Sequence, residues 1–330
     1  MVEGKTSMKS SATFAIGVDL GATTVKAGVV DKHGKLIDHF SVETKAHKGP
    51  ETVTRQIVLS VQELFSRHKK VECAGIGIGS PGIVDIEEQV VWHPPNFADW
   101  SGFALGAPIR KTFNMPVFME NDANCAAIAE ARWGAGMDFK NFLFVIWGTG
   151  VGGGIILNNK IHRGPSGGAG EIGHISIDYN GPDCNCGSRG CVEAYIGQRY
   201  LSRRTKAIFE KMPEYIAKSK LTRLVKGNLD RIEPYVISKA AEEGDKIARQ
   251  IMEEAGQFLG YALASALNVL DLHVIVIGGG ISAAPEFVFD SIRETVKSRV
   301  LKSHGNHLRI LRAQLGNTAG MLGAASIVLK

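Results

Sequence analysis

The sequence predicts an α/β protein, and three observations carry that expectation. Apolar strands alternate with helical stretches along the chain. Two apolar hairpins with Gly/Thr turns recur about 130 residues apart. Between and after them, apolar residues return at helical spacing. Repetition of one device at such a distance is what a duplicated two-domain chain would show, and 330 residues can bury two cores.

Each element follows in order. Residues 1–13 are polar and small and read as a disordered tail. "FAIGVDLGATTVKAGVV" is strand, turn, strand, and His33-Gly34 marks the next hairpin turn. From Pro50 to Lys69, the residues Val53, Ile57, Val61, Leu64 and Phe65 fall on one helical face. "VECAGIGIGSPGIVD" is a buried strand ending in a Gly-Pro loop, and the Pro-rich "HPPNFADW" is a loop. "MPVFMENDANCAAIAEARWG" is a short strand running into an Ala-rich helix that stops at Gly134. "FLFVIWGTGVGGGIILNNKIHRG" repeats the first hairpin. Residues from Ser238 to Leu270 read as helix with a break at Gly244. "LHVIVIGGGIS" is a strand ending in three glycines, and a small-residue helix opens at Thr318. The expected division is a small domain of residues 14–121, completed by 318–330, and a large one of residues 122–317.

Composition narrows the classes. With 44% hydrophobic and 22% charged residues, the chain reads as an ordinary globular protein. The net charge of +5 is concentrated between Arg199 and Arg231, where basic and apolar residues alternate as on a solvated helix. That pattern argues against a nucleic-acid surface. Neither a signal-peptide h-region nor a membrane-length apolar run is present, so a cytoplasmic protein without membrane partners is expected. Five cysteines are an odd number, unsuited to a disulfide framework.

"GTGVGG" matches G-x-G-x-x-G, but a dinucleotide fold needs a helix to begin there. The following "GIILNN" is a strand, and no P-loop motif occurs. What remains is two hairpins whose turn N–H groups and hydroxyls can hold phosphates; the alternative is ordinary hairpins with turn glycines. Asp19 stands where a carboxylate would meet phosphate-bound Mg²⁺, or else where a turn is capped. Cys184, Cys186, Cys191 and His174 lie within residues 174–191, a Gly-rich loop. Three thiolates and an imidazole suit a closed, structural Zn²⁺ shell. C-x-C spacing fits a redox pair poorly, and Cys73 and Cys125 read as core residues. Asp122 reads as a helix N-cap or as a general base.

"DLGATTVK", "ENDAN", "GTGVGGG", "GEIGH", "CNCGSRGCVE" and "IGGGIS" stand in the order and spacing of the ROK (repressor, open reading frame, kinase) sugar kinases. The chain resembles that family from Phe14 to its end. One departure is Gly21-Ala22, where the family usually has two glycines. The resemblance implies a two-lobed, actin-like (ribonuclease H-like) ATPase fold with a central cleft, and ATP-dependent phosphorylation of a hexose. It implies Asp122 as catalytic base and sugar contacts from Gly82, Asn96, Asn121, Asp122, Glu171, His174 and Glu193. His174 would face the metal with one ring nitrogen and the sugar with the other. ATP and Mg²⁺ would meet Asp19, Gly21, Thr23, Thr24, Lys26, Gly148, Thr149 and Gly150, with Gly278, Gly279 and Gly280 at the adenosine.

Glucose is the expected hexose. N-acetylmannosamine, N-acetylglucosamine, fructose and allose are alternatives, and polyphosphate is an alternative donor. The family usually forms homodimers or dimers of dimers. It also contains sugar-responsive repressors, but thirteen residues before Phe14 are too few for their DNA-binding module.

Overall fold

The computed structural model describes residues 13–100 and 102–329. The expected disordered tail lies outside them except for Thr13, whose N–H already donates to Glu72 O at 2.8 Å. The chain divides into two compact units. Among the described residues, one comprises 13–100, 102–134, 163–168 and 317–329, the other 135–162 and 169–316.

The first unit is built on strands β1 (Phe14–Leu20), β2 (Thr24–Asp31), β3 (Leu36–Glu43), β4 (Cys73–Ser80) and β7 (Val117–Asn121), in the order β3-β2-β1-β4-β7. The hairpin strands pair antiparallel and β1, β4 and β7 pair parallel, so the sheet is mixed. A small hairpin, β5 (Ile83–Asp85) with β6 (Val90–Trp92), follows β4. Helix α1 (Pro50–Arg67) buries Val53, Ile57, Val61 and Leu64, the face its spacing predicts. α2 (Gly106–Phe113) adds Ile109 and Phe113 to the same core.

α3 (Asp122–Trp133) and the C-terminal helix Ala319–Ser326 also belong to this unit. The sequence reading instead opened the second domain at Asp122. Close packing explains the difference. A Cβ on Gly17 would lie 1.9 Å from Met321 O, one on Gly77 1.7 Å from Ala324 O, and one on Gly323 1.8 Å from Cys125 O. The C-terminal helix therefore lies backbone-to-backbone against β1, β4 and α3, an approach that only glycines permit.

In the second unit, β8 (Phe142–Trp147), β9 (Val151–Leu157), β10 (Lys160–His162), β11 (Val274–Gly278) and β12 (Arg309–Arg312) form the order β10-β9-β8-β11-β12. An antiparallel hairpin again leads into parallel neighbours, so the repeated hairpin occupies the same place in both sheets. After α4 (Glu193–Ile196) and α5 (Gln198–Glu210) come the short α6 (Pro213–Ile216) and α7 (Lys220–Leu224). The stretch expected from Ser238 begins earlier, as α8 (Pro234–Glu242), because Pro234 takes the first helical turn. It breaks at Gly244, where φ is +89°, and resumes as α9 (Lys246–Leu270). α10 (Glu286–Arg299) packs beside α9, burying Val288, Phe289 and Ile292 with Leu259 and Leu263. Asp245 joins these helices. It caps α9 through Ala248 N–H (3.0 Å) and accepts from Tyr215 Oη (2.8 Å), Ser219 Oγ (2.5 Å) and Leu221 N–H (3.2 Å). No helix among the described residues is long and apolar enough to cross a membrane.

Candidate active site and metal centre

In the first unit, β7 ends at Asn121 and α3 begins at once. The cap is Asn121, not Asp122: its Oδ1 accepts the N–H groups of Ala123 (2.9 Å) and Asn124 (3.1 Å). Its Nδ2 donates to Gly82 O at 3.0 Å, which uses one of its two amide hydrogens. Asp122 is the first helical residue, half-buried, with Oδ1 accepting from Ala123 N–H at 2.8 Å. The N-cap reading of Asp122 is thereby corrected. Gly82 has φ +85°, and a Cβ there would sit 2.6 Å from Trp92 O and 2.9 Å from Pro94. Asn96 lies two residues beyond Pro94, exposed and in the left-handed region at φ +68°.

Across β1 and β2, Asp19 stands opposite Lys26 and forms an ion pair of 3.5 Å. Burial pushes the Asp19 carboxyl up while Lys26 pulls it down. Gly21 N–H closes its turn on Thr24 O (3.1 Å), and Thr44 Oγ1 donates to Gly21 O (2.6 Å). Thr23 is exposed at the tip.

In the second unit, Gly148 N–H closes the matching turn on Gly150 O at 2.9 Å. In both hairpins the first glycine's N–H is thus spent within the turn. A Cβ on Gly148 would meet nothing within 4 Å, whereas one on Gly150 would fall 2.4 Å from Glu193 Oε2. Glu193 Oε2 also accepts Val151 N–H at 2.8 Å, so this carboxylate braces the hairpin. A cavity of about 480 Å³ opens beside it. Gly148, Thr149 and Gly280 line it, together with Trp147, Gln198, Ile281 and the start of α8 at Glu233, Tyr235, Ser238 and Lys239. Gly278 packs on Phe144, and Gly279, at φ +81°, turns against Trp147 O. These two glycines shape the loop. The α8 wall carries no motif, and its one signal in the sequence is the helix-starting Pro234.

The cysteine loop forms one cluster. His174, Cys184, Cys186 and Cys191 place their ligand atoms within 4.8 Å of one another. His174 Nδ1 lies 3.7 Å from Cys184 Sγ, and Cys186 Sγ lies 3.7 Å from Cys191 Sγ. Ligand sulfurs about 2.3 Å from a tetrahedral Zn²⁺ stand roughly 3.8 Å apart, so these two separations suit such an ion. Backbone bonds from Val192 N–H to Ile175 O (2.9 Å) and from Ile177 N–H to Gly190 O (2.9 Å) tie the His174 and Cys191 segments together. This brings Glu171 and Glu193 near enough that their charges interact; burial, then Glu193, pushes the Glu171 carboxyl up, against the pull of His174. Cys125 is fully buried, and burial with the carboxylates of Glu120, Asp122 and Asp19 pushes its thiol well up. Cys73 is half-buried at the start of β4.

Two mixed five-stranded sheets, each with a Gly/Thr hairpin at its centre, define a two-unit α/β protein with a helix-terminal carboxylate and a Cys₃His centre. The ROK family model matches residues 15–330, and the chain belongs to the ROK family. It is 34% identical over 313 residues to the glucokinase of Thermotoga maritima, covering 95% of this chain and 96% of that one. It is 32% identical over 326 residues to the xylose repressor of Bacillus spizizenii, covering 97% of this chain and 78% of the repressor. A solved ROK glucokinase from Streptomyces griseus, in complex with glucose and AMPPNP, superposes with a TM-score of 0.84 at 37% identity, covering 95% and 98% of the two chains.

Proposed function

We propose that this protein is an ATP-dependent hexose kinase that phosphorylates the 6-hydroxyl of glucose, built on an actin-like ATPase fold. The observation that carries the reading is the Asn121-Asp122 turn. Because Asn121 takes the cap, the Asp122 carboxylate is held at the strand–helix junction without being the cap itself. Asp122 takes the proton of the sugar hydroxyl as its oxygen bonds to the γ-phosphorus; the bond from that phosphorus to the β–γ bridging oxygen breaks and ADP leaves. Gly82, Asn96, Asn121, Glu171, His174 and Glu193 supply the sugar's hydrogen-bond partners.

The nucleotide is assigned to the second-unit cavity, with Thr149 toward the phosphates, Gly280 and the α8 wall toward the adenosine, and Gly278 and Gly279 shaping the turn beneath it. From the first unit, Asp19, Gly21, Thr23, Thr24 and Lys26 are assigned to the phosphates. Mg²⁺ on ATP would neutralise phosphate charge beside Asp19. Zn²⁺ held by His174, Cys184, Cys186 and Cys191 would be structural, since four protein ligands complete its shell.

A coupled ADP-release assay across glucose, N-acetylmannosamine, N-acetylglucosamine, fructose and allose tests the reading. Sugar-dependent ADP release, highest with glucose, is expected. The likeness to a xylose repressor supports a second reading, a sugar-responsive DNA-binding protein. A sugar-sensitive complex with operator DNA and no ADP release would establish that reading and overturn the kinase.

A further inference from the structure

We propose that Arg163 is a positioning residue for phosphoryl transfer, acting on Asp122 through Glu120. This rests on the reading of Asp122 as the general base. Glu120 precedes the Asn121-Asp122 turn on β7, and its side chain is only 3% exposed. Its Oε1 accepts Asn121 N–H (3.0 Å) and Asn124 Nδ2 (3.0 Å), and its Oε2 accepts Arg163 Nε at 2.7 Å. The carboxylate therefore grips the chain on both sides of Asp122: the backbone one residue before it and a side chain two residues after it.

Arg163 supplies the charge that this grip depends on. A buried carboxylate without a cation is costly and would be drawn toward water, away from Asn121 N–H and the Asn124 amide. That displacement loosens the turn that aims Asp122. Catalysis by positioning is sensitive to such loosening, since a displacement of about 1 Å can cost on the order of 100-fold in rate. Arg163 also opens the segment 163–168, which the contacts group with the first unit. A Cβ on Gly167 of that segment would lie 3.1 Å from Val84 O on β5. The chain then continues to Glu171 and His174. The ion pair thus anchors, on the unit that carries the base, the stretch of chain leading to two assigned sugar contacts.

The test compares Arg163→Met, Arg163→Lys, the double variant Glu120→Gln/Arg163→Met, and Asp122→Asn, each by kcat, both KM values and melting temperature. Arg163→Met is expected to lower kcat by about 10- to 100-fold, with KM for ATP unchanged. Arg163→Lys should recover most of kcat, because an ammonium can make the single bond that Nε makes now. The double variant removes the unpaired buried charge while the Gln carbonyl can still accept from Asn121 N–H and Asn124 Nδ2, so it should melt near wild type and recover much of kcat. Wild-type kcat in Arg163→Met, or a double variant that melts like wild type yet keeps the low kcat, would show that Arg163 does not act through Glu120 and overturn the proposal. Asp122→Asn separates the two levels. If it is inactive while Arg163→Met is fully active, only the positioning role falls; if it retains turnover, the base assignment falls and the positioning role with it.

Discussion

Asn121 and Asp122 are adjacent polar residues at one strand–helix junction, and they divide two jobs. Asn121 satisfies two of the orphan N–H groups of α3, those of Ala123 and Asn124, so changing Asp122 need not unpick the helix. Asp122→Asn should lower kcat by roughly 10²–10⁴, the range for loss of a general base. Its melting temperature should stay within a degree or two of wild type, as about 0.5 kcal/mol or less is expected for a substitution that spares the cap. Asn121→Ala should do the reverse to stability and cost about 1 kcal/mol. Wild-type turnover in Asp122→Asn would end the assignment. The glycines of the second hairpin divide in a similar way. Gly148→Val adds a side chain where nothing lies within 4 Å, so the fold should hold while KM for ATP rises about tenfold or more, with the hexose KM unchanged. Gly150→Val is a poorer probe, because its side chain would drive into Glu193 and disturb an assigned sugar contact as well. A hexose KM that climbs with the ATP KM in Gly148→Val would remove this hairpin from the nucleotide site.

At the scale of elements, the loop 174–191 has few apolar residues to hold it, and the ligand cluster takes their place. Gently purified protein should carry about one zinc per chain by elemental analysis. Chelation or Cys184→Ala should lower activity and melting temperature together, since the proposed metal would tie the His174 segment to the one that leads into Glu193. Metal-free protein with normal activity and melting would refute the centre. Helices α7 and α9 depend on a different device, the buried Asp245. Burial alone would raise this carboxyl, but hydrogen bonds from Ser219, Ala248 N–H, Tyr215 and Leu221 N–H outweigh it and hold the carboxyl below its ordinary value. A carboxyl lowered on folding stabilises at pH above its unfolded value, about 3.9, and that stabilisation is lost as pH falls through the folded value. Asp245→Ala should therefore destabilise by about 2–4 kcal/mol near neutral pH, from the lost cap and the stranded partners. The difference from wild type should shrink below about pH 4, and urea melts at pH 7 and pH 3.5 would measure it. A pH-independent difference would show that the carboxylate's charge contributes nothing.

At the scale of the molecule, local chemistry was legible in the sequence and long-range packing was not. Strand–turn–strand patterning located both hairpins, helical spacing located the buried face of α1, and the Cys/His spacing brought out all four side chains that the fold clusters. Each of these is written within a short window, where periodicity or donor identity leaves few alternatives. The division into units depended instead on contacts between distant segments. Gly17, Gly77 and Gly323 are separated by dozens to hundreds of positions, yet together they draw the C-terminal helix onto β1, β4 and α3 and place α3 in the first unit. The same holds for the α8 wall of the second-unit cavity, for the capping of α3 by Asn121 in place of Asp122, and for the grip of Arg163 on Glu120 across 43 positions. A residue type states what a side chain can donate, accept or ligate. Which partner it meets is decided by close packing, and packing depends on backbone approaches that no single stretch of sequence records.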